Sequence, residues 1–228
     1  MIVQTPAIVL KSFPYSDTSL VARCFTREMG KISVIARGAR RTKSPQGAYL
    51  QPMSYLDMVF YHKATRDLQT ISKLSFLSSW TGIMADLKKI TYGLALVELT
   101  DRTLQTQDRH TELFDELTGV LQALNVRTEK LNLLFWYYQV KLLSQLGFQP
   151  DLYNRELSGY ILPDPAAGPN SRVILEGFLS GTLASLPDLP VTAKDRKAIS
   201  EYLNAQIRYH FEDISELQSF KVLKQILD

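Results

Sequence analysis

A dense run of cations near the N-terminus is the feature of this sequence best suited to binding a ligand. Six Lys/Arg residues fall within seventeen positions in which Glu28 is the only acid: Arg27, Lys31, Arg37, Arg40, Arg41 and Lys43. Cations at this density can follow a nucleic-acid backbone, because each phosphate contact releases condensed counterions. About four such contacts on a single strand would make log affinity fall with log salt at a slope of roughly −3. The alternative is a solvated basic loop.

Four tyrosines in the same part of the sequence could stack on bases: Tyr15, Tyr49, Tyr55 and Tyr61. They fall in or beside predicted turns and strand ends, where a ring can remain exposed and stack on any base. Tyr15 follows Pro14 in a turn and is the best candidate for an exposed ring. Packing inside the predicted domain is the alternative for each ring.

The sequence contains no arrangement typical of catalysis or of metal binding. His62, His110 and His210 belong to different predicted elements and have no companion at metal-ligand spacing. Cys24 is the only cysteine, and its place in an apolar strand predicts a core residue. Glycine loops of the Walker and Rossmann forms and the Gly-x-Ser-x-Gly elbow are missing. A binding protein is therefore favoured over an enzyme, with no catalytic residue, cofactor or metal expected; a hydrolase with an unrecognised site is the minor alternative.

The elements that position the cations have the two-residue periodicity of β-strands. Five apolar stretches bounded by turn residues are predicted as strands: 8–10, 20–25, 32–36, 58–61 and 68–74. Five short strands of this length predict a small antiparallel barrel or sandwich, and the OB-fold is the common solution. In the third strand, Ile32, Val34 and Ala36 share one face and Arg37 points to the other. Gly38 then allows the turn from which the other cations follow.

Beyond about position 80 the periodicity becomes helical. Apolar residues recur every three or four positions over 83–97, 113–124 and 131–146, with Gly147 and Pro150 as stop signals. Further helices are predicted over 175–186, from Thr192 to about 211, and over 217–227; Thr192 and Asp195 have the spacing of a capping box. Glycines and prolines over 158–169 predict a loop or short hairpin. The predicted fold class is α+β: an OB-fold barrel over 1–80 and a larger helical domain over 81–228, with an irregular lobe at about 151–172.

One helical stretch, 131–138, is apolar on nearly every face. It is expected at the centre of the helical domain, and a groove for a partner is the alternative. If such a groove exists, Lys130 and Lys141 at the two ends of the stretch could receive an acidic peptide.

Composition and charge define the class of protein. The chain has 228 residues, of which 45% are hydrophobic and 21% charged, enough for a sizeable core. The net charge of +3 conceals two unlike parts, since 1–80 carry eleven Lys/Arg against four Asp/Glu and 81–228 carry fifteen against nineteen. This asymmetry indicates that the first part meets a polyanion. With no long apolar run, no cationic start and one cysteine, a soluble cytoplasmic protein without membrane contact is expected.

Four blocks within the first forty residues resemble the N-terminal signature of RecO, the bacterial family of recombination mediators. They are AIVLKS at 7–12, YSDTSL at 15–20, FTREMGKI at 25–32 and ARGAR at 36–40. LGFQP at 146–150 and LQSFKVL at 217–223 are similar to later segments of the same family. The order and spacing of the blocks make the resemblance specific.

The resemblance implies a mediator of DNA repair and homologous recombination that is not an enzyme and acts at the bacterial nucleoid in the cytoplasm. It implies binding of single- and double-stranded DNA and annealing of complementary strands. It also implies contact with RecR and with the acidic C-terminal tail of single-stranded-DNA-binding protein, and assistance in loading RecA. The DNA-contacting positions of the family correspond to Lys31, Arg37, Arg40 and Arg41. The alternative is a scaffold whose basic barrel engages an acidic protein, with DNA contact incidental.

Many RecO members carry a four-cysteine zinc knuckle directly after the segment that LGFQP resembles. Residues 151–159 contain no cysteine here, so no zinc is expected. Packing and the turn residues from Gly159 to Gly168 are expected to hold this lobe instead.

Overall fold

The computed structural model describes residues 1–211, 214 and 217–219. Its first part is a closed five-stranded barrel with the strand order β1-β2-β3-β5-β4. The strands are β1 (Ile2–Tyr15), β2 (Ser19–Thr26), β3 (Gly30–Ala36), β4 (Tyr55–Tyr61) and β5 (Leu68–Ser78), with a one-turn helix α1 (Gln46–Tyr49) between β3 and β4. The predicted five-stranded OB-fold is confirmed.

The barrel differs from the prediction in how it closes. β3 and β5 pair in parallel, with Ser33 beside Leu68 and Ile35 beside Thr70, so the prediction of a purely antiparallel barrel was wrong. β1 is much longer than the predicted 8–10, because it pairs with both β2 and β4. A bulge between Val9 and Lys11 bends it and interrupts the alternation on which the prediction depended.

The predicted inward face of β3 lies in the barrel core. Ile32, Val34 and Ala36 are buried there together with Cys24. Burial raises the pKa of the Cys24 thiol to about 12, so the residue is a neutral core side chain, as predicted.

The outer side of β1 and β2 packs against the helices. Ile8, Leu10 and Phe25 belong to the core of the helical part, although they lie on barrel strands. Phe25 makes an edge-to-face contact with Phe114 at a ring-centre distance of 5.4 Å. The barrel and the helices are thus joined by an apolar contact from which water is excluded.

Up to residue 211, the described chain continues after the barrel with six helices and a 3₁₀ turn: α2 (Thr81–Met84), α3 (Leu87–Thr103), α4 (Thr111–Val126), α5 (Leu131–Gln145), α6 (Ser171–Ser180), the 3₁₀ turn (Leu183–Ser185) and α7 (Ala193–His210). Trp136, Tyr137 and Tyr138 of α5 are at most 5% exposed, which confirms a central place for this helix. Every helix in the described part of the chain is too short or too polar to cross a membrane.

Local capping groups divide two of the predicted helices. Within 83–97, the Asp86 carboxylate accepts from the Lys88 and Lys89 amides and starts α3 as a new helix. Within 175–186, α6 ends at Ser180, and Thr182 and Ser185 form a capping box that opens the 3₁₀ turn. The end of α5 before Gly147 is as predicted, and the predicted helix over 217–227 lies outside the described residues except for 217–219.

The lobe over 151–172 contains a short hairpin made of β6 (Glu156–Leu157) and β7 (Tyr160–Ile161), which confirms the predicted loop or hairpin. The Asp151 carboxylate accepts from the Tyr153 and Asn154 amides, and its carbonyl accepts from the Tyr202 hydroxyl on α7. The lobe has no cysteine or histidine. Among the described residues, no three His, Cys, Asp or Glu side chains gather as a metal site would require. The side chains of the lobe do not fit zinc. Leu152 and Leu162 are buried in the helical core, so packing holds the lobe as predicted, together with these hydrogen bonds.

Asp195 connects this lobe to α7. Its carboxylate accepts from the Thr192 amide at 2.9 Å and hydroxyl at 2.6 Å, which confirms the predicted capping box. It also accepts from the Asn170 amide at 2.7 Å, at the start of α6. Burial alone would raise the pKa of Asp195, but the hydrogen bonds from Thr192 and Asn170 outweigh it and hold the pKa below its ordinary value.

We expect Asp195→Asn to lower the free energy of unfolding by about 3 kcal/mol at pH 7, because an amide group would meet several donors. A depressed pKa stabilises the fold fully above the ordinary value of 3.8, and this stabilisation is lost as the pH falls through the folded-state pKa. Urea unfolding at a series of pH values should show the two proteins converging in acid. Asp17→Asn, at an exposed position in the β1–β2 turn, is the control. A difference that persists unchanged below pH 3 would contradict this role.

Candidate nucleic-acid interface

The chain leaves β3 at one rim of the barrel and turns back towards the β1–β2 turn. Gly38 has a φ of +74°, a conformation that glycine adopts without strain. The Arg40 amide then donates to the Thr18 carbonyl at 2.9 Å, and the Arg40 guanidinium donates to the Ser16 carbonyl at 2.9 Å. Arg40, predicted to contact DNA, therefore holds two loops together in this structure.

A groove of about 650 Å³ lies at this rim. Three parts of the barrel line it, namely the β1–β2 turn, the end of β3 with the loop after it, and the start of β5 with the loop before it; they contribute Tyr15, Ser16, Thr18, Ser19, Ile35, Arg37, Gly38, Arg41, Arg66, Leu68 and Thr70. We call it the arginine groove. None of these described lining residues is acidic.

Two of the predicted cations, Arg37 and Arg41, line the groove next to Gly38. A Cβ atom placed on Gly38 would lie 3.6 Å from Nε of Arg41, which shows that the Arg41 side chain folds over this glycine. Arg37 precedes Gly38 and is exposed. Among the described residues, no carboxylate pairs with Arg37, Arg41 or Arg66. Their guanidinium groups remain free to bind an anion.

Arg66 was missed by the sequence analysis. It lies in the β4–β5 loop, which Gln69 holds in place from a position only 2% exposed. The Gln69 side chain accepts from the Lys63 amide at 2.8 Å and donates to the carbonyls of Lys63 and Arg66. In the sequence, Arg66 stands alone beside Asp67, so its position gives little indication of a binding role. The glutamine at 69 lies within one of the apolar stretches predicted as strands, and this could have indicated that its side chain anchors a loop.

Tyr15 borders the same groove and is 51% exposed, so its predicted exposure is correct. Lys43 is exposed in the loop after Arg41 and is not a lining residue. The groove thus combines cations that can bind phosphate with an aromatic surface that can stack on a base.

Two family models match consecutive parts of this chain. Residues 1–80 match Recombination protein O N terminal, and residues 84–217 match Recombination protein O C terminal. The chain belongs to the RecO family. The resemblance inferred from its N-terminal blocks is confirmed, and membership supports a role in DNA repair.

Three curated relatives match between 70% and 100% of this chain. DNA repair protein RecO of Salinibacter ruber (strain DSM 13855 / M31) is 34% identical over 245 residues, covering 99% of this chain and 94% of that protein. DNA repair protein RecO of Chloroherpeton thalassium (strain ATCC 35110 / GB-78) is 27% identical and is aligned over 100% of both chains. DNA repair protein RecO of Chlorobium limicola (strain DSM 245 / NBRC 103803 / 6330) is 35% identical over 159 residues, which is 70% of this chain and 61% of that protein.

Two cations predicted to contact DNA lie elsewhere in this RecO fold. Lys31 donates from Nζ to the Asp101 carbonyl at 2.6 Å, and burial lowers the pKa of Lys31. Arg27 makes a bidentate ion pair with Asp115, with both N–O distances at 2.8 Å. Both side chains join the barrel to the helices, and neither lines the arginine groove.

The other tyrosines have different roles in this RecO chain. Tyr49 stacks on Phe76 with ring centres 4.6 Å apart, and Tyr55 stacks on Trp80 at 5.9 Å. Packing is therefore the observed role of both. Tyr61 is 47% exposed at the end of β4 but is not among the residues that line the groove.

Both lysines considered for an acidic peptide make contacts within the RecO chain. Lys130 pairs with Asp188 at 2.5 Å. Lys141 donates to the Gly181 carbonyl at 2.8 Å after the end of α6 and lies 5.3 Å from the ring centre of Tyr137. The peptide-binding role of these lysines stays a prediction, and it would require these contacts to open.

Proposed function

We propose that this RecO family member is a non-enzymatic DNA-binding protein that holds single strands in the arginine groove and promotes their pairing. The observation that carries the proposal is that the guanidinium groups of Arg37, Arg41 and Arg66, which pair with no carboxylate among the described residues, lie beside the exposed ring of Tyr15. Guanidinium groups bind phosphate oxygens through two parallel hydrogen bonds, and the tyrosine ring offers a surface to any base.

The chemistry of the groove supports binding more than catalysis. Its side-chain functional groups are guanidinium, hydroxyl and phenol. Arginine keeps its proton at neutral pH and therefore cannot act as a general base. Neutralised phosphates lower the repulsion between two strands, so a strand held in the groove can approach its complement more easily. Double-stranded DNA would bind by the same phosphate contacts.

The family relationship also supports a mediator role. In this proposal the protein works with RecR on strands coated by single-stranded-DNA-binding protein, contacts the acidic tail of that protein, and assists the loading of RecA. It does so at the bacterial nucleoid. The charge difference between the two parts of the chain supports a division in which the barrel holds DNA and the helices bind proteins.

Strand annealing tests this function. We expect Arg37→Glu with Arg41→Glu to slow annealing of complementary oligonucleotides at least about tenfold, with or without single-stranded-DNA-binding protein. Lys73→Glu with Lys194→Glu is the control, because it changes the net charge equally at exposed positions outside the groove. Equal annealing by all three proteins would overturn the proposal. If the Arg37→Glu/Arg41→Glu variant annealed normally but no longer bound an acidic polypeptide, the result would favour the hypothesis that the barrel is a scaffold for an acidic protein.

A further inference from the structure

We propose that the arginine groove takes the phosphate monoester of a nucleotide, so that it favours a strand that ends in a phosphate over one that continues past the site. This inference rests on the proposed DNA binding and specifies which part of the strand the groove prefers. It gives Arg66 a role as a residue that determines specificity.

The number of unpaired cations is the first argument. A phosphodiester carries one negative charge, whereas a monoester carries between about 1.5 and 2 at neutral pH and has three acceptor oxygens. Arg37, Arg41 and Arg66 line one groove, and none of them pairs with a carboxylate among the described residues. Three guanidinium groups match the charge and the oxygens of a monoester better than those of a diester.

The shape of the groove is the second argument. Its volume of about 650 Å³ lies within the range of small-molecule sites and can hold a nucleotide. Because β3 and β5 pair directly, Ile35 and Thr70 lie side by side and contribute to one wall of the groove. A terminal nucleotide fits within this volume, whereas a continuous strand has to extend beyond the groove in two directions. The Tyr15 ring at the border can stack on the terminal base.

The backbone of the loops that carry the cations is held in place before any ligand binds, which is the third argument. Gln69 holds the loop that carries Arg66 through three hydrogen bonds to its backbone. Arg40 ties the loop after β3 to the carbonyls of Ser16 and Thr18. A site organised before binding loses less conformational entropy when the ligand enters. These backbone contacts also mean that Arg66→Ala removes a guanidinium group without removing what holds its loop.

Fluorescence anisotropy with the full chain can test the preference. The probes are internally labelled oligonucleotides of one sequence that end in a 5′-phosphate, in a 3′-phosphate or in hydroxyls at both ends. A hydroxyl-ended strand one nucleotide longer controls for the added charge. We expect one phosphorylated strand to bind about tenfold more tightly than both hydroxyl-ended strands. Adenosine monophosphate, added as a competitor, shows whether the groove prefers a free nucleotide or the end of a strand. If it displaces the phosphorylated strand at a concentration similar to the Kd of that strand, the site is assigned to free nucleotides. If it does not displace the strand, the site is assigned to strand ends.

The variants separate this inference from the proposed function. Arg66→Ala should abolish the tenfold preference while weakening the hydroxyl-ended strand less than about threefold. Lys73→Ala, which removes a cation from the same barrel outside the groove, should keep the preference. Equal affinity of the wild type for all four strands would overturn the inference and leave DNA binding intact. An Arg66→Ala variant that weakened all strands equally would also overturn it, whereas no binding of any strand at low salt would overturn the proposed function as well.

Discussion

Reversing the charges of Arg37 and Arg41 to glutamate is expected to weaken the binding of a single strand at least about a hundredfold at low salt. The two guanidinium groups line the arginine groove and have no carboxylate partner among the described residues, so both are available to phosphate. Losing two of about four phosphate contacts should reduce the slope of log affinity against log salt from roughly −3 to about −1.5. Arg37 and Arg41 are exposed, so the free energy of unfolding should change little.

Anisotropy titrations over a series of salt concentrations measure both quantities. The charge-matched control is again Lys73→Glu with Lys194→Glu. Lys194 lies in the first turn of α7, where a negative charge is favourable, so this variant should fold well. If the control lost as much affinity as the groove variant, binding would depend on net charge alone, and the groove would have no special role.

Gly30→Ala is expected to lower the free energy of unfolding by about 3 kcal/mol or more and the midpoint of thermal unfolding by about 10 °C. Gly30 is the first residue of β3, directly after the β2–β3 turn, with a φ of +67°, and a Cβ atom there would be 2.0 Å from the Asp108 carbonyl oxygen. That oxygen belongs to the backbone between α3 and α4. The next residue towards α3, Gln107, donates its amide to the Lys31 carbonyl at 2.8 Å, so this segment cannot move away without straining or breaking that hydrogen bond.

Gly147→Ala separates the two causes of the expected loss of stability in Gly30→Ala, which are backbone strain at a positive φ and the collision of the new Cβ atom with Asp108. Gly147 has a φ of +87°, but a Cβ atom there would meet nothing within 4 Å. Its substitution should cost about 1 kcal/mol from backbone conformation alone. Thermal and urea unfolding of both variants give the comparison. Equal losses would mean that the contact between Gly30 and Asp108 contributes nothing beyond backbone strain.

Much of the fold could be predicted from the sequence, because the apolar residues that one face of a strand or helix buries recur at regular intervals along the chain. Alternation placed Ile32, Val34 and Ala36 on the inner face of a barrel strand. A stretch apolar on every face predicted the central helix α5, and the spacing of Thr192 and Asp195 predicted a capping box. Each of these features depends on residues within a few positions of one another. The predictions failed where a local cap such as Asp86 interrupted a helical pattern that otherwise continued.

The candidate site was predicted only in part, because the sequence does not show which lysines and arginines form ion pairs or hydrogen bonds with distant residues. Lys31 and Arg27 belong to the same basic run as Arg37 and Arg41. The fold brings Lys31 against Asp101 and Arg27 against Asp115, which lie 70 and 88 positions away. Arg66 is the opposite case. It lies outside the basic run, in the β4–β5 loop, and the fold brings it to the groove.

By itself, the sequence determined a basic OB-fold barrel followed by a helical domain, membership of the RecO family and the stretch from which the groove takes two of its three arginines. Only the tertiary structure decided which cations remain unpaired, how β3 and β5 close the barrel, and that Asp195 joins the lobe to α7. The physical reason is the range of the interactions. Strand and helix patterns arise from neighbours along the chain, whereas an ion pair, a parallel strand pair and a groove between loops depend on residues that meet only when the chain has folded.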